Sequence, residues 1–534
     1  MAQIQVTNLT FSYDGSSDTI FDKMSLTLDT DWKLGLIGRN GKGKTTFLNL
    51  LLGRYEYMGT IRTSTVFDYF PYQIPGTWET ECGEMLLERM KPGCELWRVL
   101  CELDGLEADA GILYRPFGTL SCGERTKLML AVLFSGENDF LLIDEPTNHL
   151  DQCARETVKR YLNSKKGFIL VSHDRDLLDA CVDHVLVLNR QTIEVQSGNF
   201  SSWWENKTRK DAFSIAENEK HKKEIGKLRK ASGRVRQWAD CNERTKIGFD
   251  PVKEPDRSKN ARAYIGARTK KMQSRVKQME ERIEREIEEK EGLLQDIENP
   301  VDLKLFPLSH YKKVLLTARE YGLSYPGANE PVFQNLNLEL CQGERVFLHG
   351  KNGCGKSSLI RAVLRNAALA AVDRDDMDEP ANGETECIRS GCFAESGMLK
   401  TASGLKISYV NQDTSFLRGS IQDFCARRGL DESLFCAICR QLDMGRAQFS
   451  KNMEDFSEGQ KKKVLLAASL LTPAHLYIWD EPLNYIDVFS RMQIEKLILS
   501  YMPTMLVVEH DVRFRENIAT KVVKMGDADD GQKD

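Results

Sequence analysis

Two glycine-rich segments carry the residue types that hold phosphate. Gly38-Arg39-Asn40-Gly41-Lys42-Gly43-Lys44-Thr45 and Gly350-Lys351-Asn352-Gly353-Cys354-Gly355-Lys356-Ser357 both fit the spacing G-x4-G-K-[S/T] without a mismatch. This spacing lets consecutive backbone N–H groups close around phosphate oxygens at a helix N-terminus. Lys44 and Lys356 then neutralise the β and γ oxygens, the hydroxyls of Thr45 and Ser357 suit Mg2+, and Thr46 and Ser358 continue each loop into its helix. Asp144 and Asp480 each end an apolar run, which puts a carboxylate at the carboxyl edge of a sheet, where it holds Mg2+ through water. Glu145 and Glu481 follow directly and are placed to orient or activate a water that attacks the γ-phosphorus.

The elements that position these residues occur twice. Phe11-Ser-Tyr-Asp-Gly15 returns as Leu323-Ser-Tyr-Pro-Gly327, Asp144-Glu-Pro-Thr-Asn-His-Leu-Asp151 as Asp480-Glu-Pro-Leu-Asn-Tyr-Ile-Asp487, and Val171-Ser-His-Asp174 as Val508-Glu-His-Asp511. A period of roughly 310 to 340 residues in one order marks a tandem duplication. In each copy, runs such as Lys33–Ile37, Phe140–Asp144 and Phe168–Ser172 alternate with helical patterns, so the expected class is α/β, a largely parallel sheet covered by helices. The expected domains are 1–198, a linker 199–303 and 304–534, the last with an acidic surface loop over about 368–400. Fourteen cysteines without regular spacing describe no disulfide framework, and Cys436-Ala-Ile-Cys439 reads as two structural thiols on an apolar helix.

The linker differs in kind. From Lys220 to Gln278 it holds 19 Lys and Arg against 6 Asp and Glu, net +13, while the whole chain is −5 and the remainder therefore −18. A long basic stretch on an acidic protein suits a polyanion such as nucleic acid. Its pattern predicts a helix from about Glu205 to Asp240, a tip with Gly248, Pro251 and Pro255, and a second helix from about Ala267 to Ile297 ended by Pro300. Helices of that length project on the order of 50 Å. No run approaches the roughly 18 apolar residues of a membrane span, and the N-terminus lacks a signal-peptide pattern, so a soluble cytoplasmic protein is expected.

Leu120-Ser-Cys-Gly-Glu124 and Phe456-Ser-Glu-Gly-Gln460, each preceding the acidic strand of its copy, resemble the LSGGQ signature of ATP-binding cassette (ABC) ATPases. The resemblance implies ATP and Mg2+ as cofactors. It also implies that Tyr13 and Tyr325 stack on adenine, that Gln73 and Gln412 reach the metal and nucleotide, and that His173 and His510 contact the γ-phosphate. Signature loops in that family act in trans, so Ser121 and Gly123 are expected to complete the site of Lys356, and Ser457 and Gly459 that of Lys44. Cys122 and Glu458 replace a signature glycine, and Leu483 and Tyr485 stand where the first copy has Thr147 and His149, so unequal sites are expected.

Two fused cassettes with a basic helical linker resemble the ABC-F proteins. The linker of about 100 residues, the short span from Gln73 to Ser121 and the second-copy Asp480–Asp487 motif resemble their antibiotic-resistance, ribosome-protection subgroup. That resemblance implies a bacterial, ribosome-associated monomer with no transmembrane partner. It would bind the E site of the 70S ribosome with ATP bound and reach along 23S rRNA toward the peptidyl-transferase centre. There it would displace the P-site tRNA and free lincosamides, pleuromutilins and streptogramin A. Arg244, Lys246, Phe249, Lys253, Arg257, Lys259, Arg262 and Tyr264, in a tip over about 241–266, are the expected RNA contacts, although Phe249 and Tyr264 equally suit packing within the tip. The competing readings are a housekeeping ABC-F translation factor and a DNA-repair ABC ATPase.

Overall fold

The computed structural model describes residues 3–13, 19–39, 43–136, 139–148, 150–188, 193–247, 274, 277–279, 282–283, 285, 304–326, 331–372, 394–442, 444–445 and 448–525. In the first copy, β1 (Gln3–Ser12), β2 (Thr19–Asp29) and β4 (Met58–Arg62) form an antiparallel sheet in the order β2-β1-β4. Ile4, Val6, Leu9 and Phe11 of β1 are buried between exposed or half-buried neighbours, the alternation of a strand with one covered face. A second sheet runs β5 (Val66–Phe70), β6 (Asp139–Asp144), β7 (Phe168–Val171), β3 (Lys33–Ile37), β8 (His184–Leu188), β9 (Ile193–Ser197), parallel except for the last pair. β7 is buried at every residue and accordingly reads as an unbroken apolar run. Its helices are α1 (Lys44–Leu51), α2 (Gly83–Met90), α3 (Leu96–Gly105), α4 (Cys122–Phe134), α5 (Gln152–Ser164) and α6 (Arg175–Cys181).

The linker helix α7 spans Phe200–Ile247, 48 residues, longer at both ends than the expected span. Asn199 starts it early: its side chain accepts from the N–H of Ser202 at 3.0 Å and its carbonyl from the Ser202 hydroxyl at 2.9 Å. At 1.5 Å per residue the helix is about 70 Å long. Of the expected second helix, Ser274, Lys277–Met279, Arg282, Ile283 and Arg285 are described, and all are helical; of the tip expected over about 241–266, residues 241–247 are instead the last turns of α7, and 248–266 lie outside the described residues.

In the second copy, β10 (Val314–Ser324), β11 (Phe333–Cys341) and β13 (Ala394–Thr401) form the antiparallel sheet, order β11-β10-β13. The parallel sheet runs β14 (Ile407–Val410), β15 (Leu476–Asp480), β16 (Met505–Val508), β12 (Arg345–His349), β17 (Lys521–Lys524). Its helices are α8 (Lys356–Val372), α9 (Ile421–Arg428), α10 (Glu432–Gln441), α11 (Glu458–Leu471), α12 (Val488–Tyr501) and α13 (Val512–Ile518). The loop expected over 368–400 is shorter than that, because α8 runs to Val372 and β13, paired with β10, begins at Ala394; residues 373–393 lie outside the described set. Cys436 and Cys439 lie on α10, and burial pushes the Cys439 thiol up.

Two compact units result, Met1–Trp203 with Val301–Asp534, and Trp204–Pro300. Within the first, the cassettes meet through one buried and one half-buried ion pair: Arg175 Nη2 donates to Glu495 Oε2 at 2.7 Å and Arg513 Nε to Asp176 Oδ1 at 2.7 Å. Arg513 also pairs with Asp179 and donates to the Ser201 hydroxyl at 3.2 Å. Among the described residues no helix is long and apolar enough to cross a membrane. The second parallel sheet is anchored by Trp479, fully buried, whose indole N–H donates to Ser469 Oγ at 3.0 Å. Trp479→Ala is expected to destabilise this cassette by about 3–5 kcal/mol, read as a lower denaturant midpoint.

Candidate nucleotide-binding and catalytic sites

Gly43 and Gly355, the residues before α1 and α8, adopt φ of 92° and 93°. A Cβ there would stand 2.7 Å from Ile20 Cγ2 and 2.5 Å from Val332 Cγ1, so only glycine fits either loop. Gly38 and Gly350 directly follow β3 and β12, the strands that enter the loops. Lys44 Nζ donates to Gly38 O at 2.6 Å, and Lys356 Nζ to Gly350 O at 2.8 Å and Lys351 O at 2.9 Å, which folds each ammonium back over its own loop. Asn40 and Gly41 lie outside the described residues; Asn352, Gly353, Ser357 and Ser358 line a cavity with Lys356. The Tyr13 hydroxyl shares a 2.8 Å hydrogen bond with Thr46 Oγ1, and Tyr325 shares one of the same length with Ser358 Oγ. Both rings remain more than 40% exposed, presented beside the phosphate loop as a surface on which a base can stack.

Parallel register sets the acidic pair. Asp144 lies opposite Val171 and Asp480 opposite Val508, at the carboxyl ends of their sheets. Thr45 Oγ1 donates to Asp144 Oδ2 at 3.1 Å, and the Ser357 hydroxyl makes the equivalent bond to Asp480. Asp480 Oδ1 is buried and has no hydrogen-bond partner among the described residues. A hydroxyl, a carboxylate and an unpartnered buried oxygen are the donors a hard cation such as Mg2+ takes, so these residues fit that ion.

The next residues, Glu145 and Glu481, both carry left-handed backbone, φ 52° and 46°. Such geometry in a non-glycine residue is held only where its surroundings enforce it, and it recurs here at the same step of both copies. Burial, then the neighbouring Asp144, pushes the Glu145 carboxyl up to about 8; burial, then Glu509 and Asp480, raises that of Glu481. His173 Nε2 lies 3.4 Å from Glu145 Oε1, and His510 Nε2 3.8 Å from Glu481 Oε1. Burial and then nearby cations, led by Lys44 for His173 and Arg155 for His510, hold the first imidazole well below its ordinary value and the second down to about 3. Both are therefore neutral at physiological pH and can hydrogen-bond a phosphate oxygen.

Ser121 and Ser457 cap α4 and α11 through capping boxes, with Glu124 and Gln460 as the reciprocal partners. Ser121 and Gly123 line the same cavity, about 1380 Å³, as Lys356, Gln412, Glu481 and His510. Ser457 and Gly459 make their close contacts within their own copy, with Gln460 and Tyr485, while Lys463 of α11 and Asp487 are the second-copy charges felt by Lys44. The two glutamines differ. Gln412 Nε2 donates to Glu481 Oε2 at 2.9 Å, whereas Gln73 is exposed.

Sheet register explains the difference. Tyr69 pairs with Leu142 and Tyr409 with Ile478, each two residues before the strand-ending aspartate, yet Gln73 lies four residues beyond its tyrosine and Gln412 three. Beside Asp144 the first copy offers the Tyr69 hydroxyl instead, 3.2 Å from Oδ2. Sequence reasoning missed Tyr69, and missed Asn484, whose amide donates to Glu481 Oε2 at 2.8 Å. Asn484 had a signal, because Asn148 stands at the matching place in the first copy. Of the RNA contacts expected, Arg244 and Lys246 fall in the last turns of α7, and Phe249, Lys253, Arg257, Lys259, Arg262 and Tyr264 lie outside the described residues.

Two outcomes follow. Gly355→Ala places a side chain in left-handed backbone against Val332 and is expected to weaken nucleotide binding at the second loop by about tenfold or more, measured with a fluorescent ATP analogue in a Lys44→Ala background. Because the folded Glu145 carboxyl titrates above its unfolded value, the native state holds a proton that the unfolded chain has lost between about pH 5 and 8, and stability falls as pH rises through that window. In metal-free, nucleotide-free protein, Glu145→Gln is thus expected to raise Tm at pH 8.5, by about 2–4 °C per kcal/mol recovered, with the gain vanishing near pH 5.

The ABC transporter family model matches residues 21–148 and 333–484. Ribosome protection protein VmlR of Bacillus subtilis is 26% identical over 96% of this chain and 85% of its own length. The putative ATP-binding protein YdiF of the same organism is 26% identical over 98% and 80%, and the probable ATP-binding protein YbiT of Escherichia coli O157:H7 25% over 97% and 95%. Among solved structures, the crystal structure of archaeal ribosomal stalk protein aP1 with the ribosome recycling factor aABCE1 superposes with TM-score 0.58 at 17% identity, covering 97% of this chain and 87% of that one; this likeness shows the fold alone. ABC ATPase domains of this kind bind ATP, typically with Mg2+, and hydrolyse it. With both copies matched over more than half its length, the chain belongs to the ABC family, as a tandem-cassette ATP-binding protein of the ABC-F type.

Proposed function

We propose that this protein is a cytoplasmic bacterial ATPase that binds the E site of the 70S ribosome in its ATP-bound state. It carries the basic linker toward the peptidyl-transferase centre, displaces the P-site tRNA and promotes release of lincosamides, pleuromutilins or streptogramin A. The observation that carries the reading is the linker, a 48-residue helix that runs into the Lys220–Gln278 stretch of net charge +13 on an otherwise acidic tandem cassette. A positive rod suits RNA phosphate, and its contacts weaken with salt. Similarity to a protein named for ribosome protection, over nearly the full length of this chain, supports the same reading.

In this reading the sites are composite, Ser121 and Gly123 completing that of Lys356, and Ser457 and Gly459 that of Lys44. Thr45 and Asp144 in the first copy, and Ser357, Gln412 and Asp480 in the second, would hold Mg2+, which neutralises charge on the β- and γ-phosphates. Tyr13 and Tyr325 stack the base. Glu145 and Glu481 orient the attacking water, and the neutral His173 and His510 hydrogen-bond the γ-phosphate, so binding joins the cassettes and hydrolysis releases them.

The test is co-sedimentation of Glu145→Gln/Glu481→Gln protein with bacterial ribosomes, since removing both carboxylates traps the ATP-bound pair. Association is expected with ATP and not without it. Replacing Arg244, Lys246, Lys253 and Arg257 with Gln is expected to weaken it by about tenfold or more at 0.15 M salt. Expression in a sensitive host is expected to raise resistance to lincomycin or tiamulin; ribosome binding without such protection identifies a housekeeping factor, and ATP-dependent retention on DNA instead of ribosomes overturns the reading.

A further inference from the structure

Lys462, on α11 five residues after the Ser457 cap, is a buried ammonium that the ATP chemistry above leaves unused. It is 3% exposed, and a charge so placed needs fixed oxygens in exchange for its water. Its Nζ donates to the backbone carbonyl of Asn411 at 2.9 Å and to that of Glu481 at 3.3 Å. Asp480, Glu481, Glu509 and Glu458 surround it and favour its charge against the burial that opposes it.

Those two carbonyls bracket a hydrogen bond that matters. Asn411 precedes Gln412, and Gln412 Nε2 donates to Glu481 Oε2 at 2.9 Å, so one ammonium holds the backbone at both ends of the side-chain pair. At Glu481 the backbone is left-handed, φ 46°, and a donor fixed on its carbonyl opposes relaxation to an ordinary conformation that would redirect the carboxylate. A second tie fastens the same loop to the first turn of α11: Thr414 Oγ1 donates to Glu458 Oε2 at 2.5 Å. In the first copy Thr126 stands five residues after Ser121, with no ammonium to offer, and Gln73 is exposed.

We infer that Lys462 is a positioning residue for ATP hydrolysis at the second site, pinning the Asn411 and Glu481 carbonyls so that Gln412 and Glu481 stay paired and aimed into the cavity. The inference rests on the reading of Glu481 as the carboxylate that orients water. It makes the second site the pre-organised one, through a residue that need not touch nucleotide.

The test isolates that site in full-length Glu145→Gln protein, following phosphate release, binding of a fluorescent ATP analogue and thermal unfolding. Turnover is expected to persist in Glu145→Gln and vanish in Glu145→Gln/Glu481→Gln; no turnover in the single variant overturns the reading of Glu481 and the role of Lys462 with it. In the Glu145→Gln background, Lys462→Met keeps the packing but removes the donors, and is expected to lower kcat by about tenfold or more with KM and nucleotide affinity changed less than about twofold. Lys462→Arg, which keeps donors and charge, is expected to restore most of the kcat. An unchanged kcat in Lys462→Met, or equal losses in the Met and Arg variants, overturns the inference. Should Lys462→Met unfold early, Lys462→Gln, a shorter neutral donor, decides by the same split: kcat lowered at constant KM supports the role, and kcat unchanged overturns it.

Discussion

Thr45 Oγ1 reaches Asp144 Oδ2 across 3.1 Å, and Ser357 reaches Asp480 in the same way. That bond joins the N-terminus of a helix to the carboxyl edge of a sheet, and the rest of each cassette holds those two ends in reach. The helix must begin where the chain turns through a left-handed glycine, and the strand must end where the carboxylate leaves the apolar interior. A buried oxygen with no partner among the described residues, such as Asp480 Oδ1, costs about 1–3 kcal/mol, so the surrounding packing must carry it. Strands buried at every residue, such as β7 and β15, supply that packing and leave the edge no freedom to retreat.

Duplication repeats this constraint without repeating its details. At Glu145 and Glu481 the backbone is the same, but the groups around the two carboxylates are not: Gln412 and Asn484 bond Glu481, whereas the backbone N–H of His173 approaches Glu145 Oε2 at 3.4 Å. Divergence also shapes the contact between copies. Asp176 and Arg513 each stand two residues after the aspartate of the Ser-His-Asp or Glu-His-Asp segment, and they pair at 2.7 Å. Like residues at those places would set like charges together, so opposite charges make one copy a partner for the other and not for itself.

Much of the site was legible because its chemistry depends on short-range spacing. G-x4-G-K-[S/T] needs its glycine wherever it occurs, and an apolar run ending in Asp-Glu puts that pair at a sheet edge almost regardless of what covers it. Tyr69 and the exposed Gln73 were not legible, because the extra residue between them becomes visible only when β5 is set in register against β6. The early start of α7 was missed for a similar reason: Asn199 is an ordinary polar residue until the first turn forms around it.

By itself the amino-acid sequence determined that the chain holds two α/β cassettes with phosphate loops, acidic strand ends and capped signature helices, and that a strongly basic helical segment lies between them. Each of these is a local property, set by glycine's backbone freedom, by periodicity or by net charge. Only the tertiary structure decided which further groups meet across the fold: Tyr69 with Asp144 at one sheet edge, Arg513 with Asp176 between the copies, Lys462 behind Glu481. Residues so far apart in the chain come together only when sheets pair and helices pack, and no spacing along a sequence encodes that distance.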